Sequence, residues 1–355
     1  MIKKLCFFTT ELAPNRRAIL NYMEKILPKE IEIYLFTLKK EESSPLNRIN
    51  IIDIPCNKYA SFINLRNFCK KNKIDRIINL GVLPQEGLVM LFASIFTKTD
   101  FISYQLGNPL DAIKINKGKS KIKTFFECLF FYPLFFFSHK TLLCLKSLTN
   151  YYKTKLSFIS KNISYLPHLT DTDLFAPKNK KECRRRLKIG INDKVIIFVG
   201  RIEYLKGSDI LHELIIRNQD KKFILIGELK DEIYKKQKLK NLILINSKSP
   251  EELVNYYNAS DLCLFPSRLE GIPAVPREAM SCRVPTIMSN IRCSNEIKEV
   301  ITVPLDQEKI NEEIKFFFNL SLKERKKLSL SSRKSIINDF GIEKWKEDLC
   351  EMLIN

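Results

Sequence analysis

Short, uninterrupted apolar runs, each separated from the next by a stretch of helical periodicity, recur along the whole chain. LCFFTT (5–10), IEIYLFTL (31–38), RIINLG (76–81) and FISYQL (101–106) stand in the first half. VIIFVG (195–200), KFILIG (222–227), LILIN (242–246), LCLF (262–265) and PTIM (285–288) stand in the second. A strand with one wet face alternates apolar and polar residues. Most of these do not alternate, so they are expected to be covered on both faces, as parallel strands are. Helical patterns lie between them, at about 16–27, 60–71, 208–218, 250–257 and 274–282. Strand–helix–strand alternation predicts an α/β architecture of doubly wound sheets.

At 355 residues the chain exceeds one ordinary domain. The alternation stops near Pro167 and Pro177, where Thr170, Asp171 and Asp173 mark a linker, and restarts at KVIIFVG after a basic helix. The expected organisation is a Rossmann-like domain over 1–165, a linker over 166–178, a second Rossmann-like domain over 179–338 and a C-terminal helix over 339–355 that packs back toward the first domain. Two such domains imply a cleft, with ligand at the carboxyl ends of the strands where the strand order reverses. In the tail, Ile342, Trp345, Leu349 and Met352 recur at helical spacing, so Trp345 is expected to pack inward.

Sixty basic residues face forty acidic ones, a net charge of +20. Residues 1–165 hold 26 basic and 12 acidic side chains, the remainder 34 and 28. A basic surface of this size either meets something acidic (phosphorylated substrates, anionic lipid, nucleic acid) or is simply solvated. No helix-turn-helix, zinc-finger or RNP-like motif is present, so nucleic acid is not an expected partner. The ten cysteines form no C-x-x-C pair and no zinc-ligand spacing. Several sit inside apolar runs, as in Leu142-Leu143-Cys144, and read as small buried hydrophobes of a reducing, cytoplasmic compartment. The opening MIKKLCFF is too short in its apolar part for a signal peptide and reads as a first strand. The longest apolar stretch, 125–137, has thirteen residues and contains Glu127 and Pro133, whereas a spanning helix needs about 20. Five lysines between Lys114 and Lys123 precede it. The region Lys114–Phe137 reads either as a docking surface for the anionic inner face of a membrane or as a buried helix behind a solvated basic loop.

Three segments of the second half carry chemistry. An apolar strand ends at Gly200, and Arg201 and Lys206 then flank a short loop before the helix that follows Gly207. Glycine admits close backbone approach and a helix start favours an anion, so two cations here can hold a diphosphate. The second segment, Asp261 to Met280, leads from a buried strand through Pro266-Ser267 into a loop and a helix, with Glu270 and Glu278 eight positions apart. Carboxylates at such a place can accept hydrogen bonds from the vicinal hydroxyls of ribose and hexose rings. The third, Val284 to Asn290, is another strand and turn.

Together these segments resemble the retaining glycosyltransferases of family 4, whose GT-B fold sets two Rossmann-like domains facing a cleft. The resemblance rests on G-R-x4-K-G at 200–207 and on P-S-R-x-E-G-x6-E-A-M at 266–280, which contains E-x7-E. PHLTDTDLFAP (167–177) is similar to that family's interdomain linker, and the resemblance covers about 160–300. It implies a nucleoside-diphosphate sugar held by the second domain. Arg201 and Lys206, beside Gly200, would bind the diphosphate. Glu270 and the backbone of Gly271, Ile272, Pro273, Ala274 and Val275 would meet the donor sugar, and Glu278 the ribose hydroxyls. Arg201, Lys206 and Glu270 would be the catalytic set, stabilising negative charge on the departing diphosphate without a metal. No cofactor is implied. The first domain would take a glycan or lipid-linked acceptor in capsule, O-antigen or lipopolysaccharide-type assembly, with Asn15, Gln105 and Gly107 as acceptor-side candidates.

The chain departs from the family pattern in places. Pro273 stands where glycine is frequent, and Arg283 replaces a glycine in the turn before Val284-Pro285. GELKDE (227–232) lacks a second glycine, TTELAPNRR (9–17) stands in place of a Gly-rich loop, and YQLGN (104–108) has no histidine. Asp171-Thr172-Asp173 has D-x-D spacing but lies in the linker and reads as turn-forming. The histidines His139, His168 and His212 are scattered and make no metal site; His168 reads as a surface residue or as one bordering the cleft. The same architecture could serve a sugar-nucleotide epimerase, a phosphorylase or a silent scaffold, and a basic nucleic-acid-binding protein is the remaining, less favoured alternative. The complete set Arg201, Lys206, Glu270 and Glu278 favours transfer.

Overall fold

A computed structural model of the chain describes residues 2–9, 14–37, 46–53, 58–80, 84–105, 131–236 and 239–354. Two compact units emerge: Met1–His168 together with Trp345–Asn355, and Leu169–Lys344.

The first unit is built on a sheet of seven described strands in the order β3-β2-β1-β4-β5-β6-β7, all parallel. They are β1 Lys4–Thr9, β2 Glu32–Thr37, β3 Ile49–Asp53, β4 Arg76–Leu80, β5 Asp100–Gln105, β6 Lys140–Leu143 and β7 Ile163–Tyr165. Strands β1 and β4 are buried almost throughout, which is why their sequences run apolar without alternation. Strands β3, β6 and β7 have no counterpart among the expected strands. They are short, all three carry polar residues, and pairing with a neighbour defines them. Helices Pro14–Ile26, Lys58–Asn72 and Pro84–Thr97 lie between the strands in sequence, and Cys6, Phe8, Phe36, Leu65, Phe101 and Leu134 share one core.

In the C-terminal helix Ile342–Ile354, Trp345, Leu349 and Leu353 are buried. Leu353, not Met352, completes the stripe, because a step of four keeps residues on one face. The Trp345 indole N–H donates to Pro167 O (2.9 Å), and Arg76 Nη1 donates to Leu353 O (2.7 Å). His168 is buried rather than at the surface, its ring 5.8 Å from that of Tyr104. Asp171 closes a turn, its Oδ1 accepting from the Leu174 amide at 2.8 Å.

The second unit carries six described parallel strands in the order β10-β9-β8-β11-β12-β13. These are β8 Val195–Val199, β9 Lys222–Ile226, β10 Leu242–Ile245, β11 Leu262–Phe265, β12 Thr286–Ser289 and β13 Ile301–Val303. Numbered within the unit this is 3-2-1-4-5-6, the Rossmann order, and the order reverses between β8 and β11. Ile196, Phe198, Leu211, Leu214, Phe223 and Leu264 form part of its core. Helix Pro250–Ala259 starts at a capping box, Ser249 with Glu252, and its first residue is a proline that needs no N–H partner.

Helix Ala274–Ser281 ends in a Schellman turn: Arg283 N–H bonds Met280 O and Val284 N–H bonds Ala279 O, both at 2.9 Å. That motif requires a left-handed residue, and Arg283 sits there at φ +62°.

Seven described cysteines are buried. Burial pushes Cys69, Cys263 and Cys282 up to about 12. Cys56 and Cys128 lie outside the described residues. Of the Phe-rich stretch, the helix Phe131–Phe137 is described and 125–130 lies outside. Among the described residues no helix is long and apolar enough to cross a membrane.

Candidate functional site

The loops leaving β8 and β11 stand side by side because these two strands are hydrogen-bonded neighbours at the point where strand order reverses. Glycines make the approach possible. Gly200 has φ +142° and donates to Ile226 O at 2.9 Å, while a Cβ on Gly227 would lie 2.0 Å from Gly200 O. Past Gly200 the chain forms a 3-10 turn, Tyr204–Lys206, and then reaches Gly207 at φ +78°. A Cβ there would fall 2.2 Å from Pro266 O, so only glycine lets this turn rest on the loop leaving β11.

That contact brings Lys206 to Glu270. The ammonium pairs with Glu270 Oε1, and both side chains are largely buried, 19% and 14% exposed. Ser267 Oγ donates to the same carboxylate oxygen at 2.8 Å. Arg201 is more open and pairs with Glu203 at 3.1 Å. Arg268 sets its guanidinium fork on Asp209, with contacts of 2.9 and 2.8 Å, and lies 3.7 Å from the centre of the Tyr204 ring. Its backbone N–H donates to Leu205 O at 2.9 Å. The turn bearing Lys206 is thus held from both sides by the residue two positions before Glu270.

Beyond Glu270, Gly271 and Ile272 lead to Pro273, which precedes helix Ala274–Ser281 at φ −71°, an angle proline already has. Glycine is not needed there. Pro276 is the third residue of the helix, where its missing N–H costs no intrahelical bond. No side chain caps this helix start, which opens with Ala274 and Val275. Glu278, in the same helix, accepts a hydrogen bond from Tyr257 OH at 2.9 Å. Burial pushes its carboxyl above the ordinary 4.5, opposed by the Tyr257 hydrogen bond and by Arg277. Arg277 is buried; its Nε donates to Pro273 O (3.0 Å) and its Nη1 to Thr170 Oγ1 (2.7 Å), tying the helix start to the residues that open this unit.

The fold therefore joins Lys206 to Glu270 directly, leaves Arg201 on Glu203, and gives Glu278 a phenol partner. On the other unit, Gln105 ends β5 buried, with Nε2 donating to Ser103 Oγ at 2.6 Å. Asn15 is the second residue of helix Pro14–Ile26, and Gly107 lies outside the described residues. Sequence reasoning did not single out Ser267, Arg268, Asp209 or Tyr257. Asp209, an acid in a first helical turn, offered a faint signal. Tyr257 offered none, since nothing local ties it to Glu278 across 21 positions. Among the described residues no three His, Cys, Asp or Glu side chains gather as a metal set.

Residues 179–335 match the family model described as Glycosyl transferases group 1. A D-inositol 3-phosphate glycosyltransferase of Segniliparus rotundus is 27% identical over 158 residues, covering 41% of this chain and 34% of that protein. The chain thus spans about a third of the length of the curated relatives it matches. Two solved structures share the two-domain GT-B fold. Anabaena HepE in complex with UDP-glucose has a TM-score of 0.78 at 12% identity, covering 99% of both chains. WaaG, a glycosyltransferase involved in lipopolysaccharide biosynthesis, has 0.77 at 15% identity, covering 100% of both.

Proposed function

We propose that this chain transfers a sugar from a nucleoside-diphosphate donor to a glycan or lipid-linked acceptor, with retention of anomeric configuration and without a metal. The observation that carries the reading is the Lys206–Glu270 contact at the carboxyl ends of β8 and β11, beside an uncapped helix start. An open α/β sheet takes its ligand at such a place. The group 1 match over 179–335 and the UDP-glucose complex of HepE support it.

In this reading Lys206 and Arg201 bind the diphosphate by exchanging their carboxylate partners for phosphate oxygens. Negative charge grows on the diphosphate as the glycosidic bond breaks, so fixed cations there act most strongly in the transition state. Glu270, positioned by Ser267, accepts from donor-sugar hydroxyls, with the backbone of Gly271 to Val275 alongside. Glu278 accepts from the ribose hydroxyls. The acceptor side falls to the first unit, near Asn15, Gln105 and Gly107. The setting is the cytoplasmic face of a membrane, in assembly of a surface glycan; the name of WaaG supports that setting. The basic run from Lys114 to Lys123, expected to be part of a lipid-docking stretch, lies outside the described residues.

A thermal-shift screen against a panel of sugar nucleotides tests the donor. The expected result is stabilisation by one of them, lost in Lys206→Ala and Glu278→Ala chains that still fold. Wild-type-like transfer by both variants would sink the site. Sugar-nucleotide turnover without acceptor would point instead to an epimerase.

A further inference from the structure

We infer that Tyr257 is a positioning residue of the donor site: it fixes the Glu278 carboxylate so that one oxygen is held ready for the ribose. This rests on the proposed place of Glu278 at the ribose and adds what keeps it there.

Helix Pro250–Ala259 lies between β10 and β11, and helix Ala274–Ser281 lies between β11 and β12. These strands are parallel, so each connecting helix runs back against them and starts at the carboxyl end of the sheet. Helical side chains lean toward the start of their own helix. Tyr257 and Glu278 therefore both lean toward the carboxyl end, and there they meet: the phenol OH donates to Glu278 Oε2 at 2.9 Å.

Tyr257 is firmly held. Its ring is fully buried with Val195, Val254, Cys263 and Ala279, and stands edge-on to Phe175, with ring centres 6.0 Å apart. Its helix is fixed at both ends. The capping box of Ser249 and Glu252 closes the start. Near the other end, Asn258 Nδ2 donates to Ala176 O (3.0 Å) and its Oδ1 accepts from the Lys178 amide (2.6 Å). A sealed phenol OH requires an acceptor, and here that acceptor is Glu278.

Glu278 is not sealed in the same way. It keeps part of its surface open, and among the described residues only Tyr257 hydrogen-bonds its carboxylate. Neighbouring Arg277 sends its guanidinium N–H groups to Pro273 O and Thr170 Oγ1. A pair serving the core alone would satisfy both carboxylate oxygens. Here Oε2 is pinned to a rigid helix while Oε1 stays available. A hydroxyl arriving at Oε1 meets an acceptor that has already lost its rotamer freedom, so less is lost on binding.

Tyr257→Phe keeps the ring and removes only the donor. Titration calorimetry of the full chain with UDP, ADP and GDP, each beside its 2′,3′-dideoxy counterpart, tests the inference. Wild type is expected to prefer the ribose form of the diphosphate it binds by roughly tenfold or more, since those hydroxyls meet a charged acceptor. Tyr257→Phe should lose most of that preference: the ribose form binds roughly five- to tenfold more weakly, the dideoxy form within about twofold of wild type. Loosened packing would instead weaken both forms alike. The preference is a ratio measured on the folded chain, so a lower melting temperature of the variant leaves it readable in the cold. In a Glu278→Ala chain, where no carboxylate remains to be positioned, adding Tyr257→Phe should leave both affinities unchanged.

A wild-type preference in Tyr257→Phe, equal weakening of both forms, or a further loss in the Glu278→Ala chain would overturn the inference and leave the donor reading standing. Equal binding of both forms by wild type would remove Glu278 from the ribose and the inference with it, leaving Lys206 its diphosphate. Wild type that binds no nucleoside diphosphate would overturn the donor reading and, through it, this one.

Discussion

Lys206 and Glu270, 64 positions apart in sequence, are paired with each other. In the proposed donor site a diphosphate would therefore compete with a carboxylate for the lysine, and the carboxylate it displaces would accept from sugar hydroxyls. Glu270→Gln keeps the shape and removes the competitor. Bare nucleoside diphosphate is expected to bind at least as tightly as to wild type, while transfer falls roughly tenfold or more, the worth of one charge-assisted hydrogen bond. Titration calorimetry and a transfer assay on the same protein check both halves. Weaker diphosphate binding in this variant would contradict the exchange.

Arg268 acts through its neighbours. Its fork on Asp209 and its stacking on Tyr204 hold the turn that presents Lys206. Arg268→Ala is expected to cost about tenfold in transfer through misplacement of that turn, with a small change in melting temperature. Arg268→Lys should not restore it, because an ammonium cannot make the two-point contact. Full activity in the lysine variant would show that charge alone suffices.

Glu278 is held in a dry place, and the consequence for pH has a definite sign. Its folded pKa is raised above the ordinary 4.5, chiefly by burial. The folded chain then binds more protons than the unfolded chain between the two values, so this group lowers stability as pH rises from about 4.5 through its folded pKa. Glu278→Gln, which still accepts from Tyr257 OH, is expected to melt higher than wild type at pH 7 and to lose that advantage below pH 4.5. Sugar-nucleotide affinity should fall roughly tenfold or more in the same variant. Parallel melting curves from pH 4 to 8 decide; a constant difference across that range would remove Glu278 as the cause.

Arg283 occupies the left-handed position of a Schellman turn with its side chain exposed. Placing a non-glycine residue there costs about 1–2 kcal/mol, partly offset by the larger unfolded-state entropy of glycine. Arg283→Gly is expected to stabilise the second unit by about 1 kcal/mol, or about 2–4 °C, without changing transfer. A lower melting temperature would show that the arginine makes a compensating contact.

Much of this protein was legible without coordinates. Continuous apolar runs such as VIIFVG and KFILIG can satisfy their burial only inside a parallel sheet, and they became β8 and β9. That Gly200, Lys206, Glu270 and Glu278 belong to one site was implied by the family resemblance; the fold places the first two after β8 and the last two after β11. The short strands β3, β6, β7 and β13 were not legible, because a three- to five-residue segment becomes a strand only when a neighbour supplies its hydrogen bonds. Nor were the partners of the site residues. Tyr257 on Glu278, Asp209 beneath Arg268 and Pro266 against Gly207 are contacts between segments far apart in the chain. Local periodicity determines which face of an element is apolar; which distant side chain arrives to neutralise a charge or fill a hydrogen bond is decided only when the sheet order sets those segments side by side.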